Sequence, residues 1–263
     1  MLERFERVVV VNLPSRADRR RETERELARI GHLRAATFFP AIRPAEAGGF
    51  DSVGEHGAYL SHLAVWRAAL GVRSLLVIED DVAFAADFAA RAGLVTELPE
   101  AWDVFYAGHM QLPELRRDWT ETGLVRIAPL VEFIGLHCYA VSGRALPRLV
   151  AAAEAFLMRP HGHPQGGRMP IDGALNIARR QCGFATYAAM PPLAEQRASR
   201  TDIGTLKWFD RMDALAAPVS AARGLKNGLR RTGRALRLGL LGESIVPKGG
   251  RRLSERDDAK SEA

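Results

Sequence analysis

Apolar runs, broken at intervals by charge and glycine, set out the fold along this chain. Residues 7–13 hold four consecutive valines, Val8 to Val11, and end in Asn12-Leu13-Pro14. An unbroken run of that kind predicts a strand buried on both faces. Asp18 to Ile30 is charged almost throughout, with Leu27 and Ile30 as apolar contacts and Gly31 as a stop. That pattern predicts a surface helix. Ala35 to Ile42 reads as a second strand closed by Pro44, and Gly48-Gly49 opens a loop towards Gly54.

Residues 54–70 predict the clearest helix. Tyr59, Leu63, Trp66 and Leu70 fall at i, i+4, i+7 and i+11, one apolar face, while Glu55 and His62 share another. Ser74 to Ile78 is a short apolar strand that ends abruptly in Glu79-Asp80-Asp81. Asp87 to Val95 reads as a helix, Asp103 to Tyr106 as a strand, and His109 to Thr122 as a polar loop bordering a site. His137 to Val141 resumes strand character, and Gly143 to Phe156 is a helix. Arg159 to Pro170 is a mobile loop, Ile171 to Arg180 a helix, and Phe184 to Tyr187 a last strand. This alternation predicts an α/β sandwich with a mainly parallel central sheet.

Charge changes the picture at the C-terminal end. Arg223 to Arg252 holds nine basic residues against the single acid Glu243, a local charge of +8 within a total of +6. The rest of the chain is therefore slightly acidic, which argues against nucleic acid as a partner of the core. Leu225, Leu229, Leu236 and Leu240 share one helical face among those arginines. Such a segment suits an anionic membrane surface. The expected organisation is a catalytic domain over 1–205, a basic, partly helical tail over 206–252 and a disordered C-terminus over 253–263. Cys138 and Cys182 are too few for a disulfide scaffold and match no metal-ligand spacing, which points to a reducing compartment. Neither a signal-like segment nor a long apolar span is visible, so a cytoplasmic protein, peripheral on the inner membrane through its tail, is expected.

Ligands of open α/β sheets bind beyond the carboxyl ends of the strands, and Glu79-Asp80-Asp81 sits at such an end. On an extended chain Glu79 and Asp81 point one way and Asp80 the other. Adjacent carboxylates repel unless a cation or hydrogen-bond donors hold them, and hard oxygen ligands suit Mn²⁺ or Mg²⁺. A solvated turn is the plain alternative. His161-Gly162-His163 lacks a third ligand and reads as a loop, and no dinucleotide fingerprint, Walker loop or nucleophile elbow is present.

The motifs resemble the family 25 glycosyltransferases of bacterial lipopolysaccharide and lipooligosaccharide biosynthesis. The resemblance is carried in register by Val9-Val10-Val11-Asn12-Leu13 with Arg16 and Asp18-Arg19, by Phe39-Pro40-Ala41, and by Gly54-Glu55-His56-Gly57 with Leu60-Ser61-His62. It continues through Leu76 to Asp81, Tyr139-Ala140-Val141-Ser142 with Ala145, Pro170-Ile171-Asp172 with Leu175, and Gln196 with Thr201-Asp202-Ile203. It departs from the family pattern at Ala58-Tyr59, at Leu136-His137-Cys138 and at Thr201. The resemblance implies a GT-A-like fold, a UDP-sugar donor (galactose most typically), a lipid-linked or lipopolysaccharide acceptor, and transfer with inversion. It also implies that the acidic triplet bridges metal and diphosphate.

Chemistry then assigns expected roles. Glu79 and Asp81 are the metal candidates, since a divalent ion neutralises the charge growing on a diphosphate leaving group. Asn12, Arg16, Arg19 and Asp80 are the candidates for nucleotide-sugar contact. Inversion needs a base for the acceptor hydroxyl, and Asp172 is the candidate, with a helix N-cap as its plain alternative. Glu55, Ser61 and His62 are expected to stand behind the carboxylates and orient them. A different nucleotide sugar, or a non-catalytic protein that docks on membrane or nucleic acid, are the competing readings.

Overall fold

The structure, a computed structural model, describes residues 1–110 and 121–197. The basic tail, the C-terminus, the boundary at 205 and the Thr201-Asp202-Ile203 block lie outside the described residues. In chain order the strands are β1 (Arg7–Asn12), β2 (Thr37–Pro40), β3 (Ser74–Glu79), β4 (Val82–Phe84) and β5 (Val104–Met110). They continue with β6 (Gly123–Ile127), β7 (Ile134–Ser142), β8 (Thr186–Met190) and β9 (Ala194–Gln196). The α-helices are α1 (Ala17–Arg29), α2 (Val53–Ala68), α3 (Phe88–Arg91), α4 (Leu146–Leu157) and α5 (Ile171–Gln181).

The sheet runs β2-β1-β3-β7-β5-β8-β6, with β4 and β9 paired off this path. β1 is parallel to β2 and β3, β7 runs antiparallel between β3 and β5, β8 is parallel to β5, and β6 is antiparallel to β8. Five of the seven strands on the path therefore point the same way, and the expected α/β architecture with a mainly parallel sheet is the one observed.

Strand alternation divides the interior in two. Val9 and Val11 of β1, Leu75 and Val77 of β3, and Tyr139 and Val141 of β7 face the layer of α2, α4 and α5. Val8 and Val10, Leu76 and Ile78, and Cys138 and Ala140 face the layer of Leu27 in α1 and Phe88 in α3. Helices on both faces explain why the four valines are uninterrupted by a polar residue. The α2 stripe holds through Tyr59, Leu63 and Trp66, all buried, but not to Leu70. Leu70 lies beyond the helix end and is 48% exposed.

Other expectations need correction. The helix read over 87–95 stops after Phe88–Arg91 and continues as a 3-10 turn, Ala92–Glu97, past Gly93. His109 belongs to β5, not to a loop. The loop over 159–170 is folded on itself: Arg159 donates to the Gln165 carbonyl at 2.9 Å, and a Cβ on Gly166 would strike the Phe156 ring at 2.7 Å. β4, β6 and β9 were not foreseen.

Candidate active site at the end of β3

β3 delivers Glu79, and the turn to β4 carries Asp80 and Asp81, each only 6% exposed. Three successive carboxylates, two of them buried and Glu79 partly so, demand separate supports, and each has its own. Asp80 turns towards β1 and α1. Asn12 Nδ2 donates to its Oδ2 at 2.7 Å and Arg19 Nη1 to its Oδ1 at 2.9 Å. The same guanidinium stands 3.7 Å from Asp81 Oδ2. Burial raises the Asp80 carboxyl above the ordinary range, and Arg19 and Asn12 pull it back only in part.

Glu79 is reached from the core. Trp66 Nε1–H donates to the Tyr139 hydroxyl at 2.8 Å, and that hydroxyl lies 2.8 Å from His62 Nδ1. With Trp66 as its donor, the phenol gives its own proton to Nδ1. His62 Nε2–H is then left to face Glu79 Oε1 at 3.3 Å. Burial holds the Tyr139 hydroxyl well above its ordinary pKa, so it remains a donor.

Asp81 is supported from the far end of the chain. Gln196 Nε2 donates to Oδ2 at 3.0 Å, and the Arg197 N–H donates to the Asp81 carbonyl at 2.7 Å. Arg197 Nη2 donates to the Asp80 carbonyl at 2.6 Å while Nη1 pairs with Glu22 at 3.0 Å. Asp81 Oδ1, buried, has no hydrogen-bond partner. Burial first, and then the neighbouring Glu79 charge, push the Asp81 carboxyl up. A bare, buried carboxylate oxygen beside a second carboxylate fits a hard divalent cation. Among the described residues, no group of three or more His, Cys, Asp or Glu is arranged to hold a metal.

A cavity opens beside this turn. Val11 and Leu13 from the end of β1, Ala41 to Arg43 after β2, and Gly54, Gly57 and Ala58 of α2 form its walls, with His62 and the three acids at one end. Gly57 is required there, because a Cβ would stand 2.6 Å from the Ile42 carbonyl.

The cavity separates the expected site residues. Arg19, Ser61, His62, Glu79, Asp80 and Asp81 line it; Asn12, Arg16, Glu55 and Asp172 do not. Asn12 spends its amide on Asp80 and on the Arg16 carbonyl, and Arg16 is paired with Asp18 at 2.8 Å, so neither faces a nucleotide in this cavity. Asp80 and Arg19 hold each other. Ser61 donates to the Gly57 carbonyl at 2.6 Å and accepts from Ile42 N–H at 2.8 Å, which ties down the cavity wall and not a carboxylate. Of Glu55, Ser61 and His62, only His62 touches the triplet.

Glu55 belongs to a different group. It sits in the first turn of α2, capped by Ser52, and Asp51, Asp172 and His161 act on its charge. Burial and then Asp51 raise its carboxyl above the ordinary value. Asp172 is not the N-cap of α5, a place held by Pro170. Its carboxylate accepts from Gly135 N–H at 3.1 Å and Gly173 N–H at 2.8 Å, bracing the start of β7. Arg197 and the relay through Trp66 and Tyr139 were missed. Nothing in the local sequence tells which distant polar group each will meet.

Comparison with known proteins adds the following. No protein-family model matches the chain. It is 29% identical over 214 residues to the Homo sapiens protein named inactive glycosyltransferase 25 family member 3, covering 70% of this chain and 33% of that one. It is 27% identical over 222 residues to Danio rerio procollagen galactosyltransferase 1, covering 74% and 35%. The sequence similarity runs to the glycosyltransferase 25 family. These relatives are animal proteins and none is named for lipopolysaccharide. The chain spans about a third of their length. Similar solved structures include a glycosyltransferase involved in glycosylation of the major capsid of PBCV-1, with TM-score 0.46, 10% identity and coverage of 74% and 93%. Another is a Drosophila galactosyltransferase 7 mutant in complex with manganese, UDP-Gal and xylobiose, with TM-score 0.41, 11% identity and coverage of 78% and 79%. Overlaps of that extent decide nothing about this chain.

Two outcomes follow from this geometry. Arg19→Met leaves Asp80 buried without its cation, so urea unfolding should show a loss of about 3–5 kcal/mol; unchanged stability would free Arg19 for a ligand-facing role. Glu55 has a folded pKa raised from 4.5. The native state therefore binds its proton more tightly than the unfolded chain, and stability falls as pH rises from that value through the raised one. Glu55→Gln should flatten that fall in thermal melts taken across the acidic range. An equally steep decline in the variant would assign the slope to other groups.

Proposed function

We propose that this chain is a metal-dependent glycosyltransferase that moves a sugar, galactose in the first place, from a UDP-sugar to an acceptor hydroxyl with inversion. The observation that carries the reading is the unpartnered buried oxygen of Asp81 beside Glu79, at a strand end that borders a cavity. The procollagen galactosyltransferases among its relatives support the reaction class. A lipopolysaccharide or other lipid-linked acceptor rests on the motif resemblance alone, as does docking of the basic tail on an anionic membrane.

Glu79 and Asp81 would hold the ion, which when bound supplies Lewis-acid neutralisation of the departing diphosphate. Glu79, Asp80 and Asp81 against Arg19 leave a formal charge of −2, which a divalent ion matches. His62 keeps Glu79 in place through the buried relay, and Gln196 does the same for Asp81. Asp172 takes the proton of the acceptor hydroxyl. Its two backbone donors fix the carboxylate, and each oxygen keeps a free lone pair for that proton. A second assignment of the base has its own support: Glu55, with its raised pKa, lies in the same group as Asp172.

The test is hydrolysis and transfer measured across a panel of nucleotide sugars with Mn²⁺. UDP-galactose should be turned over, EDTA should abolish turnover, and Asp81→Asn should fold normally with a rate lower by about a thousandfold. Asp172→Asn should keep donor and Mn²⁺ binding while transfer collapses. If Asp172→Asn transfers normally and Glu55→Gln does not, the base is Glu55. Full activity in EDTA removes the metal, and no turnover of any donor removes the enzyme in favour of a binding protein.

A further inference from the structure

His137 is fully buried in β7, and no step described so far uses it. The β3–β7 register pairs Val77 with Tyr139 and Ile78 with Cys138, and Glu79 and His137 are the next residues of these two strands. The ring also lies close enough to act electrostatically on the Asp81 carboxylate. The chain makes room for it. A Cβ on Gly108 would stand 2.5 Å from the ring's Nε2 and Cδ2, and one on Gly135 would stand 3.2 Å from Nδ1. Gly108 sits where the β5–β7 pairing shifts register, and Gly135 has a φ of +76°.

The two ring nitrogens have different surroundings. Nε2 lies 3.1 Å from the Ala194 carbonyl, and a carbonyl only accepts, so Nε2 carries the proton. In the neutral ring Nδ1 is then the acceptor nitrogen, and it is buried with no hydrogen-bond partner. A buried acceptor without a donor costs free energy unless a ligand supplies one. Asp81 Oδ1 is a second buried acceptor without a partner. Acceptors alone do not satisfy one another. A hydrated cation satisfies both, because its charge suits the carboxylate and its coordinated water offers the hydrogen. Mn²⁺ and Mg²⁺ held by one or two carboxylates retain several such waters.

Resting on the metal reading above, we propose that His137 is a positioning residue of the ion site, whose Nδ1 accepts a hydrogen bond from a water on the divalent cation held by Glu79 and Asp81. Ala194 fixes the ring by the bond to Nε2, an outer partner of the kind that orients groups around metals.

Two substitutions separate this role from a structural one. His137→Asn keeps an acceptor near Nδ1 and loses the bond to Ala194. His137→Gln reaches the Ala194 carbonyl and loses the acceptor. Mn²⁺ alone is titrated calorimetrically into the full chain of wild type, both variants and Asp81→Asn, with thermal melts of each as a check on folding. His137→Gln should bind Mn²⁺ about 10–100-fold more weakly, the size expected for a lost outer partner, and His137→Asn should stay close to wild type. The reverse order, or wild-type affinity in both, overturns the proposal and assigns His137 to holding β9. In that case a loss in Asp81→Asn still leaves the metal reading standing. Absence of saturable Mn²⁺ binding by wild type overturns both.

Discussion

Three successive acids at one strand end, two of them buried and the third partly so, are the constraint around which this molecule is organised. An ionised carboxylate buried without partners costs several kcal/mol, and a neighbour of the same sign adds to it. The fold meets that cost by bringing a different element to each acid. β1 and α1 bring Asn12 and Arg19 to Asp80, α2 brings His62 to Glu79, and β9 brings Gln196 to Asp81. Elements separated by more than a hundred residues are tied to one turn. The sheet order places β3 between β1 and β7, which is what lets both neighbours reach its end.

The apolar core takes part in this directly. Trp66 and Tyr139 pack in the layer between the sheet and α2, and their polar atoms continue into His62 and Glu79. His62 also stacks on Tyr139, with ring centroids 5.8 Å apart. The imidazole is thus held by contact on its face, by a hydrogen bond at Nδ1 and by Glu79 at 3.3 Å from Nε2. Glu79 receives a donor whose direction is set by the hydrophobic packing behind it. The residues that look most like plain core in the α2 stripe therefore govern the geometry of a carboxylate.

Patterns that repeat within one element were legible in the sequence. The double-faced burial of Val8 to Val11 and the α2 stripe through Tyr59, Leu63 and Trp66 depend only on local periodicity. The acidic strand end was also legible, because three carboxylates in a row admit few environments. Partners contributed by other elements were not. Asn12 ends β1 and Arg19 lies in the first turn of α1, where a phosphate contact is a fair expectation, yet Asp80 claims both. β4 and β9 are three residues each and owe their existence to pairing, β4 with β9 and β9 also with β5, so neither carries a periodic signal of its own. Asp172 reads as a cap because it opens a helix, but the cap position falls two residues earlier and its carboxylate turns to Gly135 instead.

α2 joins the two chemical ends of the molecule. His62 meets Glu79 at one end, and Glu55, seven residues earlier on the same face, stands with Asp51, Asp172 and His161 at the other. Seven residues of helix measure about 10 Å. On the glycosyl-transfer reading, the donor's diphosphate would meet a cation while the acceptor hydroxyl, with its base behind it, approaches the anomeric carbon from the opposite side. Those two groups must be held apart by roughly the length of a sugar phosphate. α2 fixes the spacing of Glu55 from His62 without a moving part. Gly57 at the middle of that span lets the chain at Ile42 close against the helix and wall the cavity beside the three acids.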